Sequence, residues 1–253
     1  MKTRIINEIK RVEEKYGIEV LYACETGSRA WGFPSPDSDY DVRMIYKHPL
    51  DWYLTLSEKK DNVEYMSDDK EIDLTGWDIR KSLKLLFKSN ASLLERIQSP
   101  IVYAQKEGFV GDYLNFAKQC YSPISTLYHY LKLAEKSFEE VTVLKEYRLK
   151  RMFYALRGSM ACKWIMSRNE MPPILFTKMV EELDLSLDLK FRIAELIEFK
   201  AIKSEAYMHS GENMVFRFIE ETILEAKSKA NSLPGRKVKE VDLDSYFRKV
   251  VMQ

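Results

Sequence analysis

The pattern of hydrophobic and polar positions predicts a first part of the chain that mixes strands with amphipathic helices. Ile5, Ile9 and Val12 recur at helical spacing with charged residues between them, and Gly17 follows, so an opening helix is expected to end there. Short apolar runs bounded by turn residues then indicate buried strands. The predicted strands cover residues 18–24, 40–46, 71–75 and 101–104, and further predicted helices cover residues 78–88 and 92–97.

From about Gly108 the apolar positions recur at helical spacing alone, with Pro123 and the Pro172-Pro173 pair as breaks. Helices joined by short breaks are typical of a bundle. The predicted helices cover about residues 143–168, 173–183, 187–204 and 212–230, followed by a short amphipathic end at 243–250. We therefore predict an α+β protein of two domains, a small mixed sheet with helices in residues 1–110 and a helical bundle in residues 111–253.

Composition adds a few constraints. The 253 residues are 45% hydrophobic, which is ample for a packed core, and the formal net charge of +1 does not require a polyanionic partner. Cys24, Cys120 and Cys162 form no CxxC pattern, so we expect buried thiols in a reducing compartment. No stretch approaches the roughly 18 apolar residues that would span a bilayer. A cytoplasmic location without a membrane partner is expected, and the oligomeric state is left open.

Three aspartates carry the candidate chemistry. Asp39 and Asp41 flank Tyr40 at the start of the second predicted strand, so both carboxylates are expected on one face, roughly 7 Å apart at their Cα atoms. Asp73 lies on the next predicted strand in an apolar context. Carboxylate oxygens suit Mg²⁺, which takes few protein ligands and completes its shell with substrate phosphates and water. We predict that the three aspartates bind two Mg²⁺ ions, with Mn²⁺ as the alternative. Asp73 is predicted to bind the ion that activates the hydroxyl receiving the transferred group, and to act as the general base for that hydroxyl.

A turn of small residues, Gly27-Ser28, precedes the aspartates and opens onto a predicted helix start. Backbone N–H groups in such a turn hold polyphosphate oxygens, so Gly27 and Ser28 are predicted to bind the triphosphate of a nucleotide. Arg29 and Arg43 adjoin these motifs and are predicted to contact phosphate. Their alternative role is to neutralise the aspartates when metal is absent.

Each of these elements has an ordinary structural explanation when it occurs alone. Gly-Ser is a common turn, and Asp-x-Asp is more often part of a solvated strand edge or loop. The Pro-Ser-Pro-Asp-Ser segment at residues 34–38 is typical of a turn that ends one element and starts the next. The order and separation of the two motifs, with a third acid on an apolar strand, favour the catalytic interpretation.

The string GSRAWGFPSPDSDYDVR, from Gly27 to Arg43, resembles the DNA polymerase β superfamily of nucleotidyltransferases. It is most similar to the branch of predicted nucleotidyltransferases that is named for an association with RNA repair pathways. The similarity is densest over this string, continues through residues 73–81 and thins in the C-terminal half. It implies that the glycine-serine pair binds the triphosphate and that the three aspartates bind metal.

The expected activity is Mg²⁺-dependent transfer of a nucleoside monophosphate from a nucleoside triphosphate to a hydroxyl acceptor, with release of pyrophosphate. The resemblance makes an RNA 3′ end, such as that of a tRNA, the first acceptor. Transfer to a protein hydroxyl or to a small molecule such as an aminoglycoside is the alternative among enzymes. A nucleotide-binding module without turnover is the alternative outside them, although buried carboxylates that repel one another without metal argue against it.

Overall fold

The structure is a computed structural model that describes residues 1–143, 145–235 and 241–253. This part of the chain divides into two compact units. The first comprises residues 1–30, 39–121 and 241–253, and the second comprises residues 31–38, 122–143 and 145–235. The mixed α/β class with a helical second half is confirmed. The units differ from the predicted division at residue 110, for reasons that lie in the packing of two helices described below.

Five strands of the first unit form one mixed sheet. They are β1 Glu19–Glu25, β2 Tyr40–Lys47, β3 Asn62–Met66, β4 Ile72–Asp78 and β5 Val102–Gln105. Their spatial order is β3-β4-β2-β1-β5; β2 and β4 run parallel, and the other neighbours run antiparallel. All four predicted strands are present, and β4 extends three residues beyond its predicted end. β3 lies within residues 47–70, a polar and poorly periodic stretch for which the sequence left a partial strand open.

One face of this sheet is covered by the predicted opening helix, α1 (Lys2–Tyr16). Side chains alternate between the faces of a strand, and Val42, Met44 and Leu74 all point to the α1 side, where each is fully buried. They pack against the apolar stripe of α1, which buries Ile5, Ile9 and Val12. The residues that alternate with them on the two strands, which include Asp41, Arg43 and Asp73, lie on the opposite face.

Five further helices begin in the first unit: α2 Gly27–Trp31, α3 Leu50–Tyr53, α4 Ile79–Phe87, α5 Ala91–Arg96 and α6 Phe109–Cys120. All of their residues but Trp31 belong to that unit. Asp78 caps α4 by accepting a hydrogen bond from the backbone N–H of Arg80 at 2.8 Å. Helix α6 joins this unit because Phe109 stacks on Tyr113 and on Tyr22 of β1, with ring centroids 4.9 and 6.5 Å apart. The predicted boundary at residue 110 would cut through α6.

The second unit is mainly helical. Its elements are α7 Pro123–Thr142, β6 Tyr147–Arg148, α8 Leu149–Arg168, α9 Phe176–Glu182, α10 Leu187–Ala201, β7 Met208–His209, α11 Asn213–Lys229 and a 3₁₀ turn at Ala230–Ser232. Helices α7 and α8 approach closely because Gly158 has no side chain. A Cβ there would meet the backbone nitrogen of Ala134 and the backbone oxygen of Tyr130 at 3.0 Å.

The predicted helix over residues 143–168 begins only at Leu149, and Leu144 lies outside the described residues. It starts late because Tyr147 pairs with His209 in the two-stranded β6–β7 sheet and donates a hydrogen bond to the backbone oxygen of Gly211 at 3.0 Å. Strands of two residues leave no periodic signal in a sequence, so this sheet was absent from the prediction.

The chain rejoins the first unit in its last helix, α12 (Leu243–Val251). Tyr246 packs its ring against Phe116, with centroids 5.0 Å apart. The buried Lys47 of β2 donates a hydrogen bond to the backbone oxygen of Val250 at 3.2 Å. Assigning residues 111–253 to one bundle therefore separates α12 from the unit in which it packs.

Residues 31–38, the middle of the motif string, belong to the second unit. The ring of Phe33 is buried against Phe153 and Phe176, with centroids 4.9 and 5.3 Å apart. The buried Lys200 donates a hydrogen bond to the backbone oxygen of Phe33 at 3.0 Å. The string that resembles one continuous motif is thus divided between two units. No helix in the described ranges has the length and apolar character needed to cross a bilayer.

Candidate active site

Asp41 and Asp73 face each other across two neighbouring strands. The parallel register of β2 and β4 pairs these residues directly, so their side chains leave the same face of the sheet at the same level. The Asp41 side chain is 38% exposed and that of Asp73 is 32% exposed. Two half-exposed carboxylates held side by side are an arrangement that attracts a cation.

The cation that joins them in this structure is the guanidinium of Arg43. Its Nη2 donates to Asp41 Oδ1 at 2.8 Å and to Asp73 Oδ2 at 2.9 Å, and its Nη1 donates to the backbone oxygen of Asp73 at 3.1 Å. Arg43 is two residues beyond Asp41 on β2 and therefore lies on the same face. Of its two predicted roles, neutralisation of the aspartates is the one that the structure contains.

Gly27 is a glycine for a reason that involves Asp41. Its φ of +64° is in the left-handed region, and a Cβ at this position would lie 2.5 Å from Asp41 Oδ2. The glycine therefore makes room for the Asp41 carboxylate at the start of α2. Thr26 adds a second connection, because its backbone N–H and its hydroxyl both donate to the backbone oxygen of Asp41, at 2.9 and 3.0 Å.

Glu25 is a site residue that the sequence did not indicate. Its side chain is fully buried at the end of β1, where Oε1 accepts a hydrogen bond from the Asp41 backbone N–H at 2.7 Å and Oε2 accepts one from the Tyr103 hydroxyl. Burial raises the pKa of the Glu25 carboxyl, and the nearby Asp41 charge adds to this effect. The only sequence signal was an acidic residue closing an apolar strand directly before the Gly-Ser turn.

Asp39 and Arg29 lie at the margin of the site. Asp39 is exposed and precedes β2, and its backbone oxygen accepts a hydrogen bond from Arg29 Nε at 3.2 Å. The Arg29 guanidinium carbon lies 3.9 Å from the centroid of the Tyr40 ring. Arg29 therefore holds the entry of β2 in place, and Ser28 follows Gly27 in α2.

The donor set can be tested for its fit to a divalent cation. Asp41 and Asp73 supply paired carboxylate oxygens of the kind that Mg²⁺ prefers, and a cationic group already lies between them. In the part of the chain that the structure describes, no group of three or more His, Cys, Asp or Glu residues is arranged to hold a metal ion. Of the three predicted ligands, the structure thus brings two together, and Asp39 is not joined to them.

Comparison with known proteins identifies the family to which the chain belongs. Residues 1–249 match the family described as "RlaP: RNA repair pathway DNA polymerase beta family". The chain belongs to this family, and the resemblance noted in the sequence is confirmed.

Two individual proteins show different degrees of similarity to this chain. The chain is 37% identical over 237 residues to a Bacillus subtilis (strain 168) protein that bears the name "Uncharacterized protein YcgL", covering 94% of this chain and 91% of that protein. A crystal structure of a nucleotidyltransferase-like protein from Exiguobacterium sibiricum 255-15 aligns over 90% of this chain and 75% of its own, with a TM-score of 0.33 and 10% identity.

Proposed function

We propose that this protein is an enzyme that transfers a nucleoside monophosphate from a nucleoside triphosphate to a hydroxyl acceptor and releases pyrophosphate. The observation that carries the proposal is the registered Asp41–Asp73 pair next to Gly27, with the Arg43 guanidinium between the two carboxylates. Membership in a polymerase-β family supports the same class of reaction.

Asp41 and Asp73 would hold Mg²⁺, which supplies charge stabilisation for the attacking and leaving oxygens of an in-line displacement. Arg43 is placed to exchange its carboxylate partners for phosphate oxygens, because a guanidinium binds both groups through paired N–H donors. Gly27 and Ser28 offer their backbone to the triphosphate, and Arg29 lies one residue further on. Asp39, the third predicted ligand, is exposed and is not brought to the pair, so the proposed metal site consists of Asp41 and Asp73.

Asp73 is the residue that we assign to the acceptor hydroxyl, whose proton it would accept. The Thr75 hydroxyl lies 3.5 Å from Asp73 Oδ1 on the same strand and face, where it can orient this carboxylate. Glu25 would have a positioning role, because it fixes the backbone of Asp41 through a hydrogen bond and does not face the substrate.

We propose an RNA 3′ end, such as that of a tRNA, as the acceptor and the cytoplasm as the compartment. The family description supports RNA as the acceptor. A protein hydroxyl and an aminoglycoside are the competing acceptors, and they become outcomes of the experiment.

The test is incubation of the full chain with each labelled nucleoside triphosphate, Mg²⁺ or Mn²⁺, and separate pools of RNA, protein and aminoglycoside. We expect label on RNA and a matching release of pyrophosphate, both lost in Asp41→Asn and Asp73→Asn. Asp61→Asn is the matched control, since Asp61 forms an ion pair with Lys81 at 2.7 Å elsewhere in the first unit.

Label on protein or aminoglycoside would replace RNA as the acceptor and leave the reaction class standing. Nucleotide binding without label on any pool and without pyrophosphate release would overturn the proposed activity in favour of a binding module.

A further inference from the structure

Arg96 is a buried cation for which the described residues provide no carboxylate partner. It ends α5, its side chain is 6% exposed, and its Nη1 makes no hydrogen bond in the described part of the chain. A buried charge without a partner is costly, so proteins keep one where a ligand or a partner compensates it. This cost makes Arg96 the strongest unexplained feature of the first unit.

Arg96 lies over the same sheet face as the Asp41–Asp73 pair. Its guanidinium carbon is 3.3 Å from the centroid of the Trp77 ring. Trp77 is four residues beyond Asp73 on β4, so its side chain leaves the same face about 13 Å further along the strand at 3.3 Å per residue. Arg96 and the acid pair therefore lie over the same face of the sheet.

The backbone of Arg96 is fixed on this face. Its carbonyl oxygen accepts hydrogen bonds from the Tyr22 hydroxyl at 2.8 Å and from Cys24 Sγ at 3.3 Å, and both donors are buried residues of β1. The side chain thus starts from a rigid point. Rigid placement reduces the entropy that a charged side chain loses when it binds a ligand.

The electrostatic surroundings of Arg96 favour an anion. Burial, and after it the positive charge of Arg43, lowers the pKa of the Arg96 guanidinium to about 9. Two guanidinium groups on one face repel each other, and an anionic ligand would relieve both the repulsion and the cost of burial. A polycationic acceptor such as an aminoglycoside would meet the opposite condition.

The order of groups along the strands identifies the side on which this anion would bind. Gly27 lies against Asp41 at one end, and Arg43 and then Trp77 follow in the other direction. In an in-line displacement the leaving pyrophosphate and the attacking oxygen are on opposite sides of the reacting phosphorus. With the triphosphate at Gly27, the Arg96 side of the acid pair is the acceptor side.

We propose that Arg96, stacked on Trp77, forms an anion subsite on the acceptor side of the acid pair and selects an acceptor that carries phosphate, as a polynucleotide does. This inference rests on the nucleotidyl transfer proposed above and narrows its acceptor class. Arg96 is a specificity residue here, since it would touch the acceptor's phosphate rather than the reacting atoms.

Binding of a short fluorescent single-stranded RNA to the full chain, in Mg²⁺ without nucleotide, tests the subsite independently of turnover. Loss of one charge-assisted hydrogen bond to phosphate predicts that Arg96→Gln weakens RNA binding about 10- to 100-fold. Loss of one phosphate contact also predicts that the slope of log affinity against log salt falls by about 0.7 for a single strand. Arg96→Lys keeps the charge and is expected to retain that slope.

Arg168→Gln is the matched control for loss of an arginine stacked on tryptophan. The Arg168 guanidinium carbon lies 3.9 Å from the Trp164 centroid, but its charge is compensated by Glu182 at 2.6 Å. Its RNA affinity and salt slope are expected to match those of the unaltered protein. Thermal melting of every variant separates loss of folding from loss of binding.

Steady-state kinetics of the transfer reaction provide a second test of the Arg96 subsite. We expect Arg96→Gln to raise the KM for RNA about 10- to 100-fold and to leave the KM for the nucleoside triphosphate within about twofold. A raised KM for the triphosphate alone would assign Arg96 to the nucleotide and overturn the inference. Unchanged RNA affinity and salt slope in folded Arg96→Gln would also overturn the inference. Absence of transfer in the unaltered protein would overturn the proposed function, and the RNA-binding measurement would then still test the role of Arg96.

Discussion

The two faces of the five-stranded sheet use the same strands for different tasks. On the face covered by α1, Met44 and Leu74 are fully buried and contribute packing. On the other face, Asp41 and Asp73 keep about a third of their surface exposed and are joined through Arg43. Because successive side chains point to opposite faces, a residue on β2 or β4 that packs in the core is next in sequence to one on the face of the candidate site. Substitutions on the two faces are therefore expected to separate activity from stability.

The largest expected effect is on the open face. Asp41→Asn and Asp73→Asn each remove a carboxylate that we assign to metal, so the transfer rate is expected to fall at least about 1,000-fold, equivalent to about 4 kcal/mol. The free energy of unfolding should change by less than about 1 kcal/mol, since half-exposed ion pairs contribute little. Steady-state kinetics and urea unfolding measure the two effects. Activity within tenfold of the unaltered protein would contradict the site assignment.

The next effect belongs to the covered face. Leu74→Ala leaves a cavity beneath α1 and is expected to lower the free energy of unfolding by about 3 kcal/mol. Its neighbour Thr75 is the matched control, because Thr75→Ala on the open face should change that free energy by less than about 0.5 kcal/mol. Urea unfolding of both variants provides the measurement. Equal destabilisation by the two substitutions would show that the two faces contribute equally to stability.

Gly27→Ala is expected to affect stability and activity together. The new Cβ would meet Asp41 Oδ2 at 2.5 Å, and the left-handed backbone disfavours any side chain, so unfolding should become easier by about 2 kcal/mol. Displacement of the Asp41 carboxylate should also slow transfer about 10- to 100-fold. Gly17→Ala is the control, because Gly17 has a similar φ of +61° but open space where its Cβ would lie. Equal loss of activity in both variants would argue against contact with Asp41 as the cause.

The smallest effect concerns His48, just beyond the end of β2. Burial, with the charge of Lys59 adding to it, lowers the pKa of His48 to about 4 from an ordinary value of 6.5. Between these two values the unfolded chain binds more protons than the folded chain, so stability is full above about pH 6.5 and falls as the pH drops toward 4. Allowing for solvent screening of this partly exposed ring, the loss is about 1–2 kcal/mol.

Urea unfolding at pH 7 and at pH 4.5, on the unaltered protein and on His48→Gln, measures this loss. The variant cannot titrate in this range, so the difference between the two pH values should shrink by about the same amount. A difference that is the same in both proteins would assign the pH dependence to other groups.

The sequence allowed the strands, the α1 stripe and the adjacency of Asp73 to the Asp-x-Asp strand to be predicted, because these follow from local periodicity and motif spacing. Glu25 and Arg96 were out of reach, since their importance comes from burial and from neighbours distant in sequence. The convergence of Asp39 with the other carboxylates was expected from strand alternation, but β2 begins one residue after it. The roles of the site residues and the Mg²⁺ dependence stay predictions.

The placement of residues 31–38 in the second unit has a practical consequence. The string from Gly27 to Arg43 does not fold independently of the second unit. A fragment that stops at residue 121 would keep both half-exposed carboxylates but lose the rings of Phe153 and Phe176, so the apolar side chain of Phe33 would be exposed to solvent. Such a fragment is expected to aggregate and to be inactive, so the shortest active form should be close to the whole chain.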